Sequence, residues 1–165
     1  MSQPVTQERD VSVAIRRTRY EDDLYTWLLE QVELLRAGRL DEIDADNIAE
    51  ELADVGASER ARLDSILRVL VMHMLKWDQQ PDFRTPSWVY SIEEQRRRYA
   101  KLMRQNPGLK SYQEEALESM FPIARSWAAA ETHFDESEFP ATCPYSWDDL
   151  LSRPFEVDAW AREPK

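Results

Sequence analysis

Residues 58–77 read SERARLDSILRVLVMHMLKW. Leu63, Ile66, Leu67, Leu70, Met74 and Trp77 recur at spacings of three and four, while Arg60, Arg62, Asp64, Ser65 and Arg68 fall opposite them. That period predicts an amphipathic helix. Such a rod is about 30 Å long, and a globular domain of this size has a radius of gyration of about 15 Å. The helix therefore offers one long apolar stripe that the rest of the chain must cover.

Working outward toward the N-terminus, Asp44 is a suitable cap for a preceding helix that carries Ile48, Leu52 and Val55. Gly56 predicts a bend or short break between the two. Further back, Thr18 and Glu21 form a capping-box pattern, followed by Tyr20, Leu24, Trp27, Leu28, Gln31 and Leu35 on one helical face and closed by Gly38. Residues 1–17 lack a period and read as a poorly ordered lead-in.

Toward the C-terminus, Thr85 before Pro86 resembles a helix start, and Trp88, Ile92, Tyr99, Leu102 and Met103 extend that helix to about Gln105. Asn106-Pro107-Gly108 interrupts it. A helical pattern resumes from Leu109 to Ala130, with Pro122 predicting two shorter helices or a kink. Pro140, Pro144 and Pro154 then break up any long element, although Ser146 can begin one short helical turn. The fold class is all-α: a single-domain bundle of about four to six helices over residues 18–152, with an irregular C-terminal tail, 153–165, wrapping it.

Composition narrows the function. With 165 residues there is length for one core, and three glycines are few for a sheet protein with many tight turns. A net charge of −11 opposes general polyanion binding. The single cysteine, Cys143, excludes an internal disulfide and a cysteine zinc knuckle, and suggests a reducing compartment. No signal-peptide run and no long apolar span is present, so a cytoplasmic protein away from membranes is expected. Acids concentrated over 41–64 and bases over 84–104 further predict that these stretches lie side by side.

His73 is the most informative polar residue, because it shares the apolar face and needs partners there. Glu50 and Glu51 are candidate acceptors from the preceding helix; Gln95 and Arg96 are candidates from the following one. One account makes His73 a general acid/base or a lone metal ligand. The plainer account is a core imidazole whose hydrogen bonds are satisfied. The candidate polar cluster is Glu50, Glu51, His73, Trp77, Arg84, Trp88 and Arg96, in which Arg84 or Arg96 would hold an anion. Trp77, Trp88 and Trp127 could frame a ligand, although aromatics at helical spacing commonly fill a core. Arg97, Lys101 and Arg104 form a basic stripe suited to solvent, an acidic partner helix or a local nucleic-acid contact. No metal or cofactor motif is present, and Cys143 has no neighbour to activate it.

Several separated blocks carry a resemblance: Ile48 to Leu52, His73 to Trp77, then Pro81, Arg84, Ser87, Trp88, Ile92 and Arg96, with Asn106-Pro107, Phe121-Pro122 and Phe139 to Tyr145. In this order they are similar to the domain of unknown function 29 family, over about Tyr20 to Leu151. The resemblance implies a bacterial, largely cyanobacterial and proteobacterial, group of small all-helical proteins without an established activity.

Three functional expectations follow. The first is a non-enzymatic protein-interaction or regulatory module, with a protein partner or self-association. The second is a small enzyme or ligand-binding protein built around His73, Arg84 and Arg96. The third is nucleic-acid binding through the basic helix face, which the overall charge opposes.

Overall fold

The computed structural model describes residues 17–157. Five α-helices follow one another: α1 (Leu24–Arg36), α2 (Ala45–Gln79), α3 (Pro86–Gln105), α4 (Gln113–Thr132) and α5 (Trp147–Ser152). Short 3₁₀ turns occupy Pro81–Phe83, Pro107–Ser111 and Glu136–Glu138, and there is no strand among the described residues. The protein is an all-α bundle, as the periodicity predicts. Apart from Arg17, the expected lead-in over 1–17 lies outside the described residues, as does the end of the tail. No described helix is long and apolar enough to cross a membrane. The chain gathers into two compact units that divide after Ala53.

In the N-terminal unit, α1 starts at Asp23, whose carboxylate accepts from the Thr26 amide at 3.1 Å. The capping box expected at Thr18 does not form; the Thr18 amide and hydroxyl instead donate to Glu30 at 3.0 and 2.8 Å. Gly38 ends the helix in the left-handed region, with φ of 70°. The Gly38 amide donates to Leu35 O and the Arg39 amide to Leu34 O, the paired bonds of a Schellman motif. Asp44 caps the next helix, its carboxylate accepting from the Asn47 backbone amide at 3.4 Å and from the Asn47 side chain at 2.8 Å. Trp27, Gln31 and Leu34 are the buried residues of α1. Tyr20 packs edge-on against Trp27 and donates its hydroxyl to Glu51.

In the C-terminal unit, Leu63, Ile66, Leu67, Leu70, Met74 and Trp77 are all buried, so the stripe read from the sequence is the centre of the core. Ile92, Tyr99 and Leu102 from α3 belong to the same cluster, as do Ala116, Leu117, Phe121, Ala124 and Ala128 from α4. Phe139, Leu150 and Phe155 complete it. Burying each Leu or Phe contributes about 1.5–3 kcal/mol, which makes these tail residues part of the fold.

Two helix breakers fail to break. Gly56 lies inside α2, which runs without a break over 35 residues and has no second start at Ser58. A helical glycine costs only about 1 kcal/mol relative to Ala, and the alanines and long side chains around it favour helix. Pro122 lies inside α4, which is not split. Proline removes one backbone bond there, and the buried residues Ala116, Leu117, Phe121, Ala124 and Ala128 on either side offset the loss.

Candidate functional site

His73 sits half-buried on α2 with Nδ1 2.9 Å from the carbonyl of Val69, one turn earlier. A carbonyl only accepts, so Nδ1 carries the proton and donates. Burial holds the imidazole below its ordinary pKa of 6.5, the Val69 bond opposes that shift, Lys76 adds to it and Glu131 counters it. The ring is therefore a neutral group tied to its own helix. Its bond goes to Val69 rather than to Glu50 or Glu51, and Glu51 receives Tyr20 in the N-terminal unit.

The structure adds residues to this neighbourhood that periodicity did not single out. Lys76 is 6% exposed, forms an ion pair with Glu131 of α4, and lies 4.6 Å from the Trp88 ring centroid. A buried ammonium needs both a counter-charge and a polarizable wall, and here it has them. Nearby, Gln80 donates to Thr132 O at 3.2 Å. The only sequence signal for Lys76 was a lysine falling in the buried stripe; its acid is 55 residues away.

Arg84 and Arg96 do not converge on an anion site. The Arg84 guanidinium covers Trp77 at 4.7 Å, and its Nε donates to the Trp77 carbonyl at 3.0 Å. Arg96 donates to the carbonyls of Leu150 and Asp149 at 2.8 and 3.0 Å, and pairs with Glu93. It also stacks on Phe155, whose ring meets Trp77 edge-on at 5.3 Å. Both cations thus fasten backbone and aromatic groups, and Arg96 holds the end of α5 against α3.

A second tail clamp centres on Asp78, which accepts from Arg153 and from the Tyr145 hydroxyl at 2.8 Å. Burial, with Asp78 beside it, raises the Tyr145 phenol pKa strongly. These groups border a shallow pocket of 330 Å³ with Leu75, Pro140 and Pro144. Cys143 is half-buried, and burial pushes its thiol pKa up, the opposite of an activated nucleophile.

The basic face of α3 borders a groove of 560 Å³ with Arg62, Gln95, Arg97, Arg98 and Lys101. Arg97 and Arg98 both bind Glu94, one and the same acid on their own helix, and Arg62 binds Glu59 on α2. Among the described residues no ion pair joins the acidic stretch 41–64 to the basic stretch 84–104, although Arg62 lines the same groove as Arg97, Arg98 and Lys101. Among the described residues, no three His, Cys, Asp or Glu side chains gather as they would around a metal ion.

The surface feature that stands apart is in the N-terminal unit. Leu24, Leu28, Val32 and Leu35 run along one line of α1, flanked by Tyr25 and Leu29, and all six are exposed. Tyr25 is 73% exposed and Leu29 50%. Leu24, Leu28 and Leu35 were expected to face inward with Trp27; the buried face is narrower than the apolar arc, and Leu34 occupies it instead.

The fold and these networks define a helical protein whose polar groups mostly fasten its own elements together. The chain belongs to the family described as Domain of unknown function DUF29, whose model matches residues 19–156. No curated protein and no solved structure matches it.

Proposed function

We propose that this chain is a non-enzymatic protein-interaction module whose docking surface is the exposed apolar face of α1. The single observation that carries the reading is that face: six large apolar side chains contiguous on one helix and open to solvent. Scattered exposed leucines are ordinary, whereas a contiguous apolar patch marks a contact surface. The polar cluster around His73 supports the same choice, because Arg84, Arg96 and Lys76 already have partners within the protein.

The test compares the full chain with a Leu28→Glu, Val32→Glu variant as bait under native conditions, with helicity of both checked by circular dichroism. The wild type retains a protein, its own kind included, that the variant releases. Equal retention by both, or none by either, overturns the reading.

A further inference from the structure

Resting on that reading, we propose that the occupant of the α1 face is a second copy of this chain, the two α1 helices packing antiparallel about a two-fold axis near Glu30. Leu28 of one copy then meets Val32 of the other, and Tyr25 meets Leu35. These two pairs are apolar on both sides and each occurs twice about the axis, which is the self-complementarity an isologous interface requires.

Charge selects the direction. Glu21 and Asp22 precede α1 with side chains 67% and 66% exposed, sharing the single cation Arg19 at 3.6 and 3.9 Å, and Arg36 ends it at 74%, in an exposed pair with Glu33 at 3.2 Å that leaves its guanidinium open to a second acid. Antiparallel pairing sets the arginine of each copy beside the acids of the other. Parallel pairing would bring the two N-terminal ends together, where Glu21, Asp22 and Asp23 outnumber Arg19, and would align the two helix dipoles unfavourably.

Area is consistent with a dimer. The exposed fractions along the face add to about three fully exposed large side chains, on the order of 500 Å². An interface of about 800 Å² per partner, a little over half of it apolar, carries about that much. Among the described residues, Trp27, Gln31 and Leu34 are the fully buried ones of α1, which leaves most of its apolar arc uncovered. Two helix pairs brought together make a four-helix bundle, in which an apolar arc this wide has neighbours on both sides.

Sedimentation equilibrium of the full chain at tens of micromolar is expected to give twice the monomer mass. Arg36→Glu should raise the dissociation constant about tenfold, and adding Asp22→Arg to the same chain should restore it. In a Cys143→Ser background, a Leu28→Cys chain mixed with a Val32→Cys chain should form disulfide-linked pairs faster than either alone. A dimer indifferent to these changes, or one linking Leu28→Cys to itself fastest, overturns the proposal. A monomer that carries another protein released by Leu28→Glu, Val32→Glu overturns the second copy and leaves the interaction reading standing. A monomer that carries nothing ends both.

Discussion

Arg153 grips both carboxylate oxygens of Asp78, at 3.0 and 2.6 Å, across 75 residues of sequence. The geometry is the two-pronged one that makes guanidinium–carboxylate contacts strong, and Tyr145 adds a third bond to the same acid. Asp78→Asn keeps the shape but removes the charge. It should cost about 1–2 kcal/mol, seen as a fall in Tm of about 2–8 °C, and an unchanged Tm would show that the clamp contributes nothing.

Phe155 should matter more than its place near the end of the chain suggests. It is 6% exposed, meets Trp77 edge-on, and has Arg96 and Arg153 over its ring. Phe155→Ala should cost about 3–5 kcal/mol, measured by urea unfolding; a loss below 1 kcal/mol would place the tail outside the cooperative core.

The imidazole of His73 should make stability fall in mild acid. Its folded pKa is depressed below 6.5, chiefly by burial, so the unfolded chain binds that proton more readily. The contribution is complete above about pH 6.5 and declines as pH drops below it, levelling off under the folded pKa. His73→Gln should flatten the loss of Tm between pH 7 and 5.5 relative to wild type. Parallel curves for the two proteins would exclude His73 as the source.

Gly56 and Pro122 give a pair of gains. A Cβ built on Gly56 has nothing within 4 Å, so Gly56→Ala should stabilise by about 0.5–1 kcal/mol. Pro122 is exposed inside α4, and Pro122→Ala restores a backbone donor, for a gain of about 1–3 kcal/mol. Thermal melts of both single variants check this, and a lower Tm in either would show that its local backbone departs from regular helix.

The core stripe from Leu63 to Trp77 was legible because periodicity is a local property, and burial followed it residue by residue. The helix ends at Gly38, Gln105 and Ser146 were legible for the same reason, being fixed by cap and turn chemistry. Gly56 and Pro122 do not interrupt α2 or α4, because the cost of one poor residue is small beside what the flanking turns gain. Lys76 with Glu131 and Asp78 with Arg153 were invisible, since each pairing depends on how distant helices meet. On α1 the apolar positions were visible, but periodicity does not say whether the same chain covers them.

The seven residues 52–58 of α2 are exposed on every side, which inverts the usual pattern of a long helix. Fraying ordinarily begins at helix ends and interior turns open later, but here two interior turns in the N-terminal half lack the packing that slows opening. Amide deuterium uptake within α2 should therefore be faster over residues 52–58 than from Leu63 to Trp77, marking this bare span as the weak joint of the helix.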